Sequence, residues 1–360
     1  MTYLYHHVRN YGCRVSDRFQ FNGLRVVFLE NQSLRVMVLA DKGADIYEFL
    51  YKPLDVDFMW RSPWLPSSAG SHILSNSPAH GHFLDFYSGG WQEIFPQGSS
   101  PCIYKGAPYG EHGEVWGLPW EYQILEDTPE AVSVKFWTRT YRSPFYLERV
   151  MRLRGDRAIL FLEERVVNES RVDLDLMWGH HPVLGPPLLA EDCIFQVPAT
   201  HALNSVRFAE PTTRFPDGEL LWPVALDKHG RPVDLRCIPP PGAGVSDMLF
   251  FMGLTGGWAS LINRRLGLGF GLAWDRDVFP YVWFWGVFNG SLDYPFYGRT
   301  YNLGIEPFSS LPGALTGEPP GAGTALHLRA GESISLKVRA IAFHAQGPIQ
   351  GLTLDGEVLG

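Results

Sequence analysis

Long hydrophobic runs are absent from this sequence of 360 residues. The most apolar stretch, MLFFMGLTGGWASLI at residues 248–262, is too short and too rich in glycine to span a bilayer. The N-terminal segment MTYLYHHVRN lacks the charged and then apolar layout of a signal peptide. We therefore expect a cytoplasmic protein that makes no contact with a membrane.

Cysteine and clustered positive charge are also scarce. The four cysteines are widely spaced and form no Cys-x-x-Cys pair, which argues against a structural zinc site or a thioredoxin-type motif. The formal net charge of -8 comes from scattered acidic residues, and no basic stripe is present, which argues against nucleic-acid binding. No GxGxxG, P-loop, GxSxG or HExxH pattern occurs, so nucleotide binding, serine hydrolysis and zincin chemistry have no support.

Aromatic residues and turn formers are abundant, with 12 Trp, 15 Tyr, 23 Phe, 38 Gly and 28 Pro. Segments that alternate apolar and polar residues, such as AVSVKFWTRT and FYLERVMRLR, follow one another with turn signals between them. This pattern predicts an all-β fold, a sandwich or a barrel of antiparallel strands. A single domain over residues 1–360 is the simplest organisation, with long loops at about 61–111 and 308–323. A monomer and a homodimer are both open.

Three short segments place ionisable residues beside glycines and aromatics. GEHGEVWGLPWEY carries His112, which is either a turn histidine or a functional one. DLDLMWGHHPVLG carries His180 and His181, and YNLGIEPFSS carries Glu306, which is either a rim charge or a carboxylate held in a pocket. Histidine and glutamate together supply a general acid and a general base near neutral pH.

Strand geometry separates the two adjacent histidines, because successive side chains of a strand point to opposite faces. His180 shares a face with Leu174, Leu176 and Trp178, which resembles a core face. His181 shares the more polar face, as expected for a residue that lines a cleft. We therefore predict that His180 is structural and that His181 takes part in the chemistry.

Other segments suggest weaker candidates. GGWQEIFPQ contains Trp91, Gln92 and Glu93, and it predicts either a pocket wall or a tight turn onto a buried strand. DRDVFPYVWFWGVF predicts either an aromatic core strand or one side of a platform on which a sugar stacks. His80 and His82 have a spacing that could bind metal from one face of a strand, but no third ligand is obvious, and a polar loop is the alternative.

Taken in order, these segments resemble the aldose 1-epimerase (galactose mutarotase-like) superfamily over about residues 25–343. HGEVWGLPWEY is similar to the family's His-Gly segment, GHHP to its Gly-x-His-Pro, and LGIEPFSS to its strand ending in Glu-Pro. LENQSLRVMVLADKGADIYEFLYKP resembles the opening strands and LRAGESISLKVRAIAF the closing hairpin. The resemblance implies a large twisted antiparallel β-sandwich that binds a sugar in a surface cleft and interconverts its anomers.

The resemblance also implies roles for individual residues. Glu306 would take the proton from the anomeric hydroxyl, His181 would protonate the ring oxygen, and His112 would assist near that oxygen. Apart from these roles, our own candidates for sugar contacts are Trp91, Gln92, Glu93, Trp116, Asp275 and Trp283, and Asp277 and Asp293 are alternatives to Asp275 for the family's substrate-binding aspartate. One fixed carboxylate and one imidazole suffice for this chemistry, so we expect neither metal nor cofactor.

The sequence departs from the family at one point, because the family's sugar-binding Asn-Arg pair is missing and GGWQEIFPQ stands in that region. The sugar is therefore open. The alternative functions are a carbohydrate-binding protein without catalysis, and a different sugar isomerase or lyase on the same fold, which could be metal-assisted through His80 or His82.

Overall fold

The computed structural model describes residues 9–67 and 79–360, and within these ranges the chain is built almost entirely of β-strands. The first half contains the elements β1 (Arg14–Phe21), β2 (Leu24–Glu30), β3 (Leu34–Leu39), β4 (Asp45–Tyr51), β5 (Val56–Asp57), α1 (Ala79–Phe86), β6 (Trp91–Ile94), β7 (Cys102–Tyr104), β8 (Ala107–Tyr109), β9 (Glu121–Asp127), β10 (Ala131–Arg139), β11 (Phe145–Arg154), β12 (Ile159–Asn168), β13 (Leu174–Leu176) and β14 (Gly179–Leu184).

The second half contains strands only: β15 (Cys193–Gln196), β16 (His201–Asn204), β17 (Gly218–Leu221), β18 (Val224–Leu226), β19 (Pro232–Asp234), β20 (Val245–Met252), β21 (Trp258–Asn263), β22 (Leu268–Trp274), β23 (Tyr281–Phe288), β24 (Tyr301–Phe308), β25 (Leu326–Leu328), β26 (Ser333–His344), β27 (Gly351–Leu352) and β28 (Val358–Leu359). Short 3₁₀ helices occupy Lys52–Leu54 and Val115–Gly117. None of the helices in the described ranges is long and apolar enough to cross a membrane.

Two large sheets form the body of the protein. The 12-stranded sheet has the order β1-β2-β3-β4-β6-β14-β24-β23-β20-β16-β17, with β5 attached to β4. The 8-stranded sheet has the order β15-β21-β22-β26-β12-β11-β10-β9. The neighbouring strands of both sheets pair antiparallel, which confirms the predicted all-β, antiparallel class.

The core lies between the two sheets, where each strand contributes every second side chain. On β11 the buried residues Phe145, Leu147, Met151 and Leu153 alternate with side chains that point outward. Burying one such side chain stabilises the fold by about 1.5–3 kcal/mol. The period-two pattern of the sequence therefore reports directly which face of the strand is inside.

Residues 61–111, predicted as a long loop, instead contain α1 and three strands. The strand β6 lies in the middle of the 12-stranded sheet, between β4 and β14, and all four of its residues are buried. A strand that is buried on both faces needs no polar alternation, so its sequence gives no period-two signal. Residues 309–325 contain turns and no strand.

The closing segment differs from the hairpin that its sequence suggests. β25 pairs with β13 in a separate two-stranded sheet, whereas β26 pairs with β12 and β22. The turn at 329–332 therefore carries the chain from one sheet to another, and the hairpin interpretation is wrong.

A group of charged residues is buried inside the sandwich. Arg149 on β11 forms ion pairs with Glu93 of the opposite sheet and with Glu164 on β12, where its Nε lies 2.7 Å from Oε1. The Nε2 atom of His180 lies 2.9 Å from Oε2 of Glu164. We call these four residues the core ion network.

The pKa shifts of the core ion network follow from burial and pairing. Burial and the neighbouring Glu164 raise the pKa of Glu93. Burial would also raise the pKa of Glu164, but His180 and Arg149 hold it below the usual value. Ligand atoms of Glu93, Glu164 and His180 lie within 4.8 Å of one another, as a metal site would require. Since Arg149 and His180 supply two basic groups against the two carboxylates, the group is an ion-pair network that joins the two sheets.

Replacing Arg149 by Met should lower the free energy of unfolding by about 3–5 kcal/mol, because two buried carboxylates lose their counter-charge. Chemical denaturation monitored by tryptophan fluorescence measures this loss. Lys135→Met removes a partly exposed pair with Glu148 on the same sheet, and it should cost less than about 1 kcal/mol. Equal losses in the two variants would contradict a special role for the core ion network.

Candidate functional site

A pocket of about 230 Å³ opens on the outer face of the 12-stranded sheet, on the side away from the core. Its floor is formed by β14, β24 and β23, which supply His181, Glu306, Trp283 and Trp285. Its walls come from α1 and from the segments around residues 98–112, 208–210 and 291–296. We call this cavity the His181–Glu306 pocket.

The register of the floor strands explains why these side chains face the pocket. On β14, His180 is paired with Glu93 and His181 with Gln92 of β6, so the two histidines lie on opposite faces. On β24, Leu303 and Ile305 belong to the core, and Glu306 points to the other face. Trp283 is paired directly with Glu306. The strand parity predicted from the sequence therefore agrees with the observed register.

His181 and Glu306 are in contact on the floor of the pocket. The Nε2 atom of His181 lies 3.5 Å from Oε1 of Glu306, and both side chains are at most 5% exposed. Oε1 of Glu306 has no hydrogen-bond partner among the described residues. A Cβ atom at Gly304 would lie 2.5 Å from this oxygen, so glycine leaves the space that the carboxyl group occupies. A buried, unpartnered carboxyl oxygen beside an imidazole is suited to accept a proton from a ligand.

Burial shifts both groups toward their neutral forms. It raises the pKa of Glu306 well above the usual 4.5. Burial, with a smaller contribution from His112, lowers the pKa of His181 well below 6.5. The two shifts favour a state in which the pair shares one proton and carries no net charge.

His112 lies next to this pair and is held by its backbone. Its ring centre is 5.3 Å from that of His181, and its Nδ1 lies 2.9 Å from the carbonyl oxygen of Gly98. Burial lowers the pKa of His112 to about 4, so this histidine is neutral at physiological pH. His112 and Gly113 have positive φ values of 59° and 74°, and a Cβ at Gly113 would lie 2.3 Å from the carbonyl oxygen of Phe95. The His-Gly sequence is thus required for the tight turn that places His112.

The helix α1 and the residue after it add two aromatic side chains that the sequence did not identify. Phe83 packs edge-on against His112, with ring centres 4.5 Å apart. The hydroxyl of Tyr87 lies 3.4 Å from Nδ1 of His181. Burial raises the pKa of Tyr87, and the charges of Glu306 and Asp45 add to that rise. Phe83 and Tyr87 are four residues apart, a spacing that places two side chains on the same face of a helix. The glycine pair Gly89–Gly90 follows closely and argues against a helix, so this spacing is a weak signal.

Of the predicted sugar contacts, Trp283 lies in the pocket. Its ring stacks on Phe308 with centres 3.9 Å apart, and its Nε1 donates to the carbonyl oxygen of Ser310 at 3.0 Å. Trp285, two residues later on the same face, also lines the pocket and was not predicted individually. The two indoles form an apolar floor beside the His181–Glu306 pair.

The structure places Trp91 and Glu93 in the core instead of the pocket. The indole Nε1 of Trp91 donates to Nδ1 of His180 at 2.9 Å, and Glu93 accepts from Arg149 and from the indole of Trp178. The physical reason is strand parity, since both residues share the face of His180.

Gln92, Trp116 and Asp275 also lie outside the pocket. Gln92 is on the His181 side but donates to Asp45 at 3.0 Å and to the carbonyl of Gly89 at 2.8 Å. Trp116 packs edge-on behind Phe83, with ring centres 5.0 Å apart. Asp275 accepts from the backbone N–H of Lys337 at 2.7 Å and lines a different, shallow depression. None of these three predicted sugar contacts lines the pocket, and the alternatives Asp277 and Asp293 do not line it either.

Among the described residues, the rim of the pocket carries carboxylates and neither Lys nor Arg. Glu111 and Glu210 line it together with Ser291 and Tyr294. Burial raises the pKa of Glu111 to about 7 and also raises that of Glu210, which accepts from Ser291 at 3.2 Å. No Lys or Arg is among the described lining residues, and the sequence has none in residues 1–8 or 68–82. The pocket therefore disfavours an anionic ligand.

The side chains of His80 and His82, considered above as metal ligands, lie outside the described residues.

Comparison with known proteins supports the architecture. The family model described as a domain of unknown function (DUF4432) matches residues 21–217, more than half of the chain. A candidate aldose 1-epimerase from Klebsiella pneumoniae subsp. pneumoniae aligns over 93% of this chain and 84% of its own, with 13% identity and a TM-score of 0.71. A galactose mutarotase-like protein from Clostridium acetobutylicum aligns over 92% and 99%, with 13% identity and a TM-score of 0.65.

A galactose mutarotase related enzyme from Lactobacillus acidophilus aligns over 91% of this chain and 100% of its own, with 18% identity and a TM-score of 0.60. No curated protein sequence matches this chain. At these identities the similarity establishes a galactose mutarotase-like fold, as the sequence resemblance implied.

Replacing Glu306 by Gln should stabilise the folded protein at about pH 8 and have little effect at about pH 4. A carboxyl group whose pKa is raised by folding loses its proton first in the unfolded chain. Wild-type stability therefore falls as the pH rises from the usual glutamate value to the folded-state value, by about 1.4 kcal/mol for each pKa unit between them.

Denaturant unfolding over a pH series measures this effect, with Glu219→Gln, an exposed position on β17, as the control. If the free energy of unfolding of Glu306→Gln differs from that of wild type by the same amount at every pH, the raised pKa of Glu306 is contradicted.

Proposed function

We propose that this protein is a sugar 1-epimerase. The chain belongs to the DUF4432 family, which is described as a domain of unknown function, and it has a galactose mutarotase-like fold. The reaction interconverts the α and β anomers of an aldose through the open-chain aldehyde. The observation that carries the proposal is the contact of 3.5 Å between His181 and Glu306 on the floor of a pocket walled by aromatic side chains.

Ring opening needs one proton removed from the anomeric hydroxyl and one delivered to the ring oxygen. These two oxygens are bonded to the same carbon, so the acid and the base must lie close together. In the proposed reaction Glu306 takes the hydroxyl proton, and His181 gives its Nε2 proton to the ring oxygen as the carbon–oxygen bond breaks. Rotation about the adjacent carbon–carbon bond and the reverse transfers then close the ring in the other configuration.

The His181–Glu306 pair holds one proton before and after ring opening. Before it, the proton is on His181 and Glu306 is ionised; after it, Glu306 is protonated and His181 is neutral. Burial favours the second arrangement, so the proton first moves from Glu306 to Nε2 of His181, 3.5 Å away, before the ring opens. The pair returns to its starting state on ring closure, so the cycle consumes neither a cofactor nor an external proton.

Tyr87 and His112 support this proton transfer. When His181 is protonated, its Nδ1–H can donate to the hydroxyl oxygen of Tyr87, 3.4 Å away, which leaves the Nε2 proton for the substrate. His112 is neutral and adjacent, so it can exchange a hydrogen bond with the sugar near the ring oxygen without adding a repelling charge.

The lining of the pocket favours an uncharged aldose. Trp285, which is partly exposed beside the buried Trp283, offers the flat apolar surface on which one face of a sugar ring packs. Carboxylates such as Glu111 and Glu210 accept hydrogen bonds from sugar hydroxyls, whereas they repel a phosphate or a uronic acid. The absence of Lys or Arg from the described lining agrees with this substrate class.

Glu306→Gln and His181→Gln should each reduce anomer exchange by about 100-fold or more, since each removes one half of the acid–base pair. Exchange NMR on a panel of neutral aldoses, corrected for the uncatalysed rate, measures this reduction. His327→Gln, an exposed histidine on β25, serves as the control. His180→Gln should retain more activity than His181→Gln, because His180 faces the core. Wild-type exchange rates in folded Glu306→Gln protein, or sugar binding without any turnover in the wild type, would refute the epimerase assignment.

The wild-type exchange rate should be bell-shaped in pH, because the reaction requires one proton on the pair. Addition of a second proton limits the rate at low pH, and loss of the only proton limits it at high pH. Since the pKa of His181 is lowered and that of Glu306 is raised, the acid limb should lie well below 6.5 and the alkaline limb well above 4.5. An acid limb centred at 6.5, the ordinary histidine value, would show that His181 is not in the buried environment described above.

A further inference from the structure

A second cavity, of about 200 Å³, lies on the outer face of the 8-stranded sheet. Four arginines line it, and we call it the arginine cavity; they are Arg152, Arg154, Arg157 and Arg339. The two large sheets lie between this cavity and the His181–Glu306 pocket, because each cavity opens on the outer face of a different sheet. The two cavities are therefore separate sites.

Strand register builds the centre of the arginine cavity. Arg152 on β11 is paired with Phe161 on β12, and Phe161 is paired with Arg339 on β26. The guanidinium carbons of Arg154, Arg157 and Arg339 lie 5.5, 5.5 and 4.8 Å from the centre of the Phe161 ring. A single aromatic ring thus gathers the arginines around one point.

The C-terminal hairpin of β27 and β28 closes one side of the arginine cavity and fixes two of its arginines. Nε of Arg339 donates to the carbonyl oxygen of Leu354 at 2.8 Å, and Nη2 of Arg157 donates to that of Asp355 at 2.7 Å. Arg339 is only 6% exposed. The guanidinium groups are therefore held in place by neutral carbonyls rather than by carboxylates.

The positive charge of the arginine cavity is not balanced by the protein. None of the four arginines forms an ion pair within 4 Å in the part of the chain that the structure describes, although arginines elsewhere on the surface commonly do so. The only acidic lining residues are Glu163 and Asp355, so four cations face two anions. The Nε atom of Arg152 is buried and has no hydrogen-bond partner among the described residues.

Mutual repulsion adds to this imbalance. Burial lowers the pKa of Arg339 despite the opposing effects of Glu163, Asp275 and Asp355, and the charge of Arg154 makes a further small contribution to the lowering. Arg339 is buried and the Nε atom of Arg152 is buried without a partner among the described residues, so an anion that enters the cavity would stabilise both groups. The chain as a whole is acidic, with a formal net charge of -8, so the local excess of positive charge is not a general property of its surface.

We propose that the arginine cavity binds the phosphate group of a small phosphorylated metabolite. Phosphate suits the site because its oxygens match the planar fork of arginine donors, and because its two negative charges equal the net charge of the lining groups. The concave shape and the small volume accommodate a phosphate and a short substituent. Because the cavity is on the far side of the sandwich, the phosphate is not part of the sugar that reacts at Glu306, and the site acts as a regulatory or stabilising one.

Isothermal titration calorimetry on the full chain tests the proposal, with inorganic phosphate and glycerol phosphate as the two probes. Arg152→Gln/Arg157→Gln removes the unpartnered Nε donor of Arg152 and the guanidinium of Arg157, and it should weaken binding by about 10-fold or more. Arg165→Gln is the matched control, since Arg165 lies on the same outer face of β12 but does not line the cavity. The control should bind within about twofold of wild type.

Thermal unfolding provides the second measurement. Phosphate should raise the midpoint of wild-type and Arg165→Gln protein and leave that of the double variant unchanged. If the double variant does not unfold cooperatively, Arg154→Gln, an exposed position, replaces it in both measurements. Tighter binding of glycerol phosphate than of inorganic phosphate would identify an organic phosphate as the ligand, and the reverse order would identify free phosphate.

Absence of binding by either probe up to about 10 mM would overturn the proposal, as would equal affinity in the double variant and the control. The experiment does not involve Glu306 or His181, so its result is independent of the epimerase assignment.

Discussion

His180 is buried between the two sheets, where it contacts Glu164 at 2.9 Å and accepts a hydrogen bond from Trp91 at the same distance. This interaction fixes the register of β14, because the imidazole can reach the core ion network only from one face of the strand. The next residue, His181, must then point to the opposite face, where Glu306 of the neighbouring strand β24 also points. The geometry of the pocket therefore depends on an interaction inside the core, although no member of the core ion network lines the pocket.

Buried carboxyl groups occur in this protein in two different environments, the core ion network and the His181–Glu306 pocket. In the core, Arg149 lies against both Glu93 and Glu164, and His180 contacts Glu164, so two basic groups face two carboxylates. In the pocket, Glu306 is equally buried, but Oε1 has no partner among the described residues and no cation lines the wall. The first arrangement joins the sheets and gives stability. The second leaves the carboxyl group of Glu306 without a partner for Oε1 among the described residues, so a bound hydroxyl would stabilise it. Functional sites commonly sacrifice some folding stability in this way.

Charge is also divided between the two outer faces of the sandwich. The pocket on the 12-stranded sheet is lined by carboxylates and aromatic rings, whereas the cavity on the 8-stranded sheet is lined by four arginines. An uncharged sugar and a phosphate would therefore be drawn to opposite faces of one protein. This separation would allow a phosphorylated metabolite to act on the protein without competing at the reactive pair.

The sequence by itself determined the antiparallel β class and the opposite orientations of His180 and His181. It also determined that Glu306 lies on the face of its strand opposite to Leu303 and Ile305. These features follow from side-chain alternation, which is a local property of a strand. The sequence misassigned Trp91 and Glu93, because β6 is buried on both faces and its polar residues gave no indication of which face meets the core. Asp275 was misplaced for a related reason, since a local pattern does not report which strands become neighbours.

Only the tertiary structure decided that Tyr87 approaches His181 and that Arg339 joins the arginines of the β11–β12 hairpin beside Phe161. The pairing of strands far apart in the chain creates these contacts, and a single sequence carries no local signal for such pairing.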